Sequence, residues 1–275
     1  MESIFTVERR KDLRDAYDTF WGDLNSIIKT SSYDTYPLIK YLNWCIRYWP
    51  YRCGAVSIDN YLEDIEVDYP WPKDDKDRLY SLELIINLLH FAPIQDQHEL
   101  KLKGGKNIPS GTTVRLESER LIKNAEYILE QCCNMKVRTE FHDECSKYFI
   151  TKRSAQVDAA IIAVPELKDV LLSYFDLRNQ GNTEQKKAIL IAVHNYMEPH
   201  KKEYKSLACS AISEEFFASI NKLGIRHNAE SQIQLDPEKA NDVFDKLFLM
   251  AVYVLQTSQV NKYKDELIKL RETKI

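Results

Sequence analysis

Glycine and proline, the residues that most often break helices, are scarce in this chain, with seven and nine in 275 residues. Together with abundant Leu, Ile, Lys and Glu, that scarcity favours long helices. The sequence has no Walker loop, no GxGxxG, no GxSxG and no HExxH, so the common nucleotide, hydrolase and zinc-protease signatures are excluded. No stretch of about 18 apolar residues occurs, so no membrane-spanning helix is expected. The opening MESIFTVERRKDLRD lacks the apolar region of a secretory leader. The formal net charge of −4 gives no global attraction to nucleic acid. The six cysteines form no CxxC framework. These features point to a cytoplasmic protein with reduced thiols and no membrane partner.

What is present is helical periodicity. Apolar residues recur at helical spacing over 8–29 (Leu13, Ala16, Tyr17, Phe20, Leu24), 36–49, 57–65 and 75–91. They do so again over 113–133, 139–163 (Phe141, Cys145, Tyr148, Phe149) and onward to the dense stripe of Val243, Phe244, Leu247, Phe248 and Ala251. Asn182 with Gln185 three residues on resembles a capping box. Ser213 reads as an N-cap, Gly224 as a helix stop, and Asp236-Pro237 as a cap followed by proline in the first turn. No segment alternates with period two. The fold class is therefore all-α, a multi-helix bundle with at most a small hairpin near 99–108. The predicted organisation is an N-terminal helical subdomain over 1–92 and a polar junction over 93–112 that holds three of the glycines. A C-terminal bundle over 113–260 and a charged tail over 261–275 follow.

Three constellations carry chemistry. Cys132 and Cys133, with His142 and Cys145, offer thiolates and an imidazole, though at the spacing of no common zinc module. The stretch VHNYMEPHKKEY places His194 and His200 on either side of Pro199, too far apart for one helix face. The phrase NKLGIRHNAES presents Arg226, His227 and Asn228 directly after the helix-stopping Gly224. Arginine suits phosphate, histidine exchanges a proton near neutral pH, and asparagine binds a base edge or ribose hydroxyl. Metal-free RNA cleavage needs those capabilities: assistance to the 2′-hydroxyl and a cation for the phosphorane. The competing reading of each constellation is structural: packed cysteines, a solvated helix end, and a polar loop that caps its neighbours.

The stretch SAISEEFFASINKLGIRHNAESQIQLDPEKANDVFDKLFLMAVYVL resembles the last two helices of HEPN-type proteins from bacterial abortive-infection systems. The resemblance covers at most the C-terminal 160 residues or so. It implies an all-α bundle that dimerises and a metal-independent ribonuclease in phage defence or a toxin-like role. On that resemblance Arg226 matches the family's arginine and His227 its polar neighbour; with Asn228, read from its own hydrogen-bonding chemistry, they make the candidate catalytic set, with no cofactor and no metal. The family motif places a histidine several residues beyond its arginine. Here Glu230, Ser231, Gln232 and Ile233 stand there, and no histidine follows His227. Arg178-Asn179 also opens like the motif, but QGNTEQ follows. Two readings stay open: an RNA-cleaving effector working through His227, or a non-catalytic helical module that binds and regulates a partner protein. The second draws on the tryptophans Trp21, Trp44, Trp49 and Trp71, all in the N-terminal third. Both predict a homodimer, with RNA as the candidate ligand of the first and a protein partner of the N-terminal subdomain for the second.

Overall fold

The computed structural model describes residues 12–30, 35–68, 72–102, 110–141, 145–225 and 235–272. The fold is all-α with two small antiparallel hairpins, and it divides into two compact units, Met1–Lys152 and Arg153–Ile275.

The first unit opens with α1 (Leu13–Ser26), whose Leu13, Tyr17, Phe20 and Leu24 fall on one buried stripe. Asp12 caps it by accepting from the Arg14 N–H at 2.9 Å. A short ladder, β1 (Ile28–Thr30) with β2 (Thr35–Pro37), leads into α2 (Leu38–Cys45), which continues as a 3₁₀ turn through Tyr48. Next come α3 (Ile58–Asp64), capped by Ser57, then α4 (Asp75–Leu102) and α5 (Ser110–Cys133). Residues 81–89 of α4 are buried on every side, which makes it the central helix of the unit. Asn134 takes a left-handed φ of 53° and turns α5 into β3 (Met135–Glu140), which pairs with β4 (Lys147–Lys152).

Two expectations are corrected here. Of the stretch where a hairpin was expected, 99–102 belongs to α4 and 103–108 lies outside the described residues; a hairpin forms instead at β3–β4, whose β4 falls where a helix over 139–163 was predicted. Nor does the chain divide in 93–112; it divides after Lys152. The reason is that α5 folds back along α4, so that Leu89 and Ile122 line one groove and both sides of the expected junction share one core. Pro93 removes a single N–H from the ladder, and the helix continues through it because packing on α5 outweighs that loss.

The edge of β4 that faces away from β3 is closed by side chains of α4. The Asn87 amide donates to the Tyr148 carbonyl at 2.7 Å and accepts from the Tyr148 N–H at 3.0 Å. Glu83 accepts from the Ile150 N–H at 2.8 Å. Two buried polar residues of α4 thus supply the hydrogen bonds that a further strand would make.

The second unit comprises α6 (Ala155–Ala163), capped by Ser154, α7 (Lys168–Ser173), α8 (Thr183–Met197), α9 (Lys201–Lys205), α10 (Ser210–Lys222) and α11 (Pro237–Glu272). Asn182 caps α8 as expected, accepting from the Gln185 N–H at 3.1 Å. Ser213 is not a cap: α10 already begins at Ser210, and Ser213 is buried in its first turn. α11 packs against α6, α8 and α10. Phe244, Phe248, Ala251 and Leu255 of α11 meet Leu190 and Val193 of α8 and Phe216, Phe217 and Ile220 of α10 in one apolar core.

Candidate functional site

Arg226, His227 and Asn228 lie outside the described residues, as does His142. Their flanks are described. α10 ends on the Leu223 N–H, which bonds the Ser219 carbonyl at 2.9 Å. Gly224 then adopts φ 66°, a left-handed turn that a side chain would strain. Ile225, the residue before Arg226, is buried at 1% exposure. The chain returns at Asp236, whose carbonyl accepts from the Lys239 and Ala240 N–H groups, both at 2.9 Å, to start α11. Ala240 is buried in the same core as Ile225. The described residues on either side of the Arg-His-Asn segment therefore belong to one packed core.

One and two turns into α11, Asn241 and Asp245 share a face. Lys186 of α8, itself buried, donates from Nζ to Asn241 Oδ1 at 2.7 Å and to Asp245 Oδ1 at 2.6 Å. The Tyr174 hydroxyl donates to the same Asp245 oxygen at 2.7 Å, and its ring stacks on Phe248 at 3.7 Å. Burial, reinforced by the bond to Asp245, pushes the Tyr174 hydroxyl well above the usual phenol range. Lysine, carboxylate and phenol satisfy one another, so the cluster offers neither a free nucleophile nor a base. It ties α8 and the turn after α7 to the first half of α11, behind the Arg226 segment in sequence. Asn241-x-x-x-Asp245 was its only sequence signal.

The histidines of VHNYMEPHKKEY do not meet. His194 is buried in the core, 5.4 Å from the Phe217 ring, while half-exposed His200 lies 3.5 Å from Glu203. Among the described residues no group of three or more His, Cys, Asp or Glu side chains is placed to hold a metal. Cys132 lines a groove between α1 and α5. The Cys133 thiol is pushed up to about 11 by burial, and buried Cys145 donates toward the Ser146 carbonyl. The described tryptophans are largely packing residues: Trp49 is 1% exposed with Tyr61 at its edge, Trp44 stacks on Tyr41, and Trp21 on Tyr17. Trp71 lies outside the described residues.

The first unit carries two grooves that residue patterns did not single out. One, of about 510 Å³ between α1 and α5, is lined by Asp12, Asp15 and Asp23 together with Phe20 and Tyr127, among others. The other, of about 460 Å³ between α4 and α5, is lined by His90, Pro93, Arg115 and Lys123 among others. His90 stacks on Tyr148 at 3.7 Å, and burial pushes its imidazole down to about 4, so it is neutral at pH 7. Its sequence context, LLHF, reads as core and gives no hint of the groove. No described helix is long and apolar enough to cross a membrane.

No protein-family model, curated protein or solved structure matches this chain significantly.

Proposed function

We propose that the chain is an RNA-directed effector of the abortive-infection kind, cleaving RNA without a metal through the Arg226-His227-Asn228 segment. The observation that carries this reading is that Ile225 and Ala240, on either side of that segment, are buried in one core. A segment held at both ends by packed helices presents its polar side chains at a lower entropic cost than a free loop. The resemblance of residues 210–255 to HEPN-type proteins supports the same assignment. In this reading His227 takes the proton of a ribose 2′-hydroxyl. The freed O2′ attacks the adjacent phosphorus, the bond to O5′ breaks, and Arg226 holds the charge that builds on the phosphorane. Asn228 binds a base edge or ribose hydroxyl. The products are a 2′,3′-cyclic phosphate and a 5′-hydroxyl, and the leaving oxygen is protonated by solvent. Purified protein incubated with tRNA and total RNA in EDTA tests it. Cleavage by the wild type and its loss in Arg226→Ala support the proposal, and RNA left intact by the wild type ends it.

The second reading is a non-catalytic helical module that binds and regulates a partner protein. It is favoured by the lack of any histidine after His227 and by the groove between α1 and α5, whose lining includes Asp12, Asp15 and Asp23. A growth defect on expression that persists unchanged in Arg226→Ala/His227→Ala would select it.

A further inference from the structure

α11 is two helices in one. Its first half is bound into the core by Phe244, Phe248, Ala251, Val254 and Leu255. From Val260 to Glu272 no residue of it is buried, yet it remains helical. A solitary helix of that length has too few hydrogen bonds to offset nucleation, and solvated helices need an apolar partner for their stability. The missing contact has a face. Leu249, Tyr253, Val260, Tyr263, Leu267 and Leu270 are between 48% and 65% exposed. Their spacings of four, seven, three, four and three residues form one seam along the outward side of the helix. Tyr253, Val260 and Leu267 take the first apolar position of successive heptads, and Leu249, Gln256, Tyr263 and Leu270 the second. The seam runs for about 33 Å at ~1.5 Å per residue, close to three heptads.

We propose that the second half of α11 is a dimerisation helix, pairing with α11 of a second copy of this chain as a parallel, in-register coiled coil. Charge decides both the partner and the direction. The residues that flank the seam are Gln259 and Glu266 on one side and Lys264 and Arg271 on the other. In a parallel pair each flank residue meets the one five positions further along in the other chain. Glu266 then meets Arg271 of the second copy, and Gln259 meets Lys264 of the second copy. The two-fold repeats both contacts, so one surface complements itself, as an isologous interface requires. Antiparallel pairing would instead set the Lys264 and Arg271 flanks of the two copies against each other, cation against cation. Gln256, the one polar residue in the seam, fixes the register, since shifting it would pair an amide with a leucine or a tyrosine. Parallel pairing also places the start of both α11 helices at the same end of the dimer. The pairing itself follows from α11 alone and does not rest on the ribonuclease reading.

Sedimentation equilibrium of the full chain over a dilution series tests the proposal. The wild type is expected to be a dimer. Leu267→Glu/Leu270→Glu, which changes only exposed positions, is expected to be a monomer in which the buried amides of α8 and α10 stay protected from hydrogen exchange. Glu266→Arg is expected to weaken dimerisation about tenfold, and Glu266→Arg/Arg271→Glu to restore most of it. Val260→Cys, oxidised with diamide, is expected to give a cross-linked dimer that the wild type, with its native cysteines, does not give. A wild type that stays monomeric at every concentration overturns the proposal. So does a dimer that survives Leu267→Glu/Leu270→Glu, or one in which the double charge reversal is weaker than the single. A Val260→Cys dimer that does not cross-link overturns the parallel register.

Discussion

Asn87 is the residue whose loss the first unit should feel most sharply for its size. Its amide closes the free edge of β4 with one donated and one accepted bond to Tyr148, in a site that is 1% exposed. Truncation to alanine leaves the Tyr148 N–H and C=O without partners, at about 1–3 kcal/mol for each buried group. Some water enters the space vacated, so the expected destabilisation is about 3 kcal/mol. Asn87→Asp separates the two bonds. The carboxylate still accepts from the Tyr148 N–H, but its second oxygen now faces the Tyr148 carbonyl. At neutral pH the aspartate should be at least as harmful as the alanine, and part of the loss should return in mild acid, where the protonated carboxyl can donate. Urea unfolding followed by tryptophan fluorescence is a suitable assay, because all four tryptophans lie within the first 71 residues and report on this unit. Hydrogen exchange over 146–152 reads the same edge locally. A cost below about 0.5 kcal/mol for Asn87→Ala, with the Tyr148 amide still protected, would refute the idea that α4 substitutes for a strand there.

Three further outcomes are expected. His90 has a folded value of about 4 against an ordinary 6.5, so the unfolded chain binds the proton more readily. Its contribution is complete above pH 6.5 and is lost as pH falls toward 4. About 3 kcal/mol by that shift, discounted for partial solvent access to about 2, should disappear from the pH profile of unfolding in His90→Gln. Asp245→Ala strands a buried lysine and the Tyr174 hydroxyl. Given the half-exposed carboxylate, about 2 kcal/mol of the second unit's stability should be lost, measured by the thermal midpoint. Asn182→Ala should cost about 1 kcal/mol by loss of the α8 cap, read by the same melt.

Much of the helical framework was readable in the residues, and the failures have physical causes. α1, α2, α3, α8 and the start of α11 announce themselves through periodic apolar residues and local caps such as Asn182 and Asp236. Local signals suffice where the element satisfies its own backbone. The β3–β4 hairpin failed that test. Phe141, Cys145, Tyr148 and Phe149 fall at helical spacing, and the strand's outer edge is completed by Glu83 and Asn87, some sixty residues earlier in the chain. Pro93 misled for the same reason, because the packing of α5 on α4 overrides a local breaker. Of the candidate site, the helix stop at Gly224 and the restart at Pro237 were evident, whereas the Lys186–Asn241–Asp245–Tyr174 cluster was not. Its members come from separate helices that only the tertiary fold unites.

End-group analysis of RNA treated with the protein in EDTA tests the central claim most directly. If His227 and Arg226 drive attack by the 2′-hydroxyl, the fragments carry 2′,3′-cyclic phosphates and 5′-hydroxyls, and a single 2′-deoxy substitution at the cleavage position blocks the cut. Fragments with 3′-hydroxyl ends, cleavage indifferent to the deoxy substitution, or no cleavage at all would contradict it.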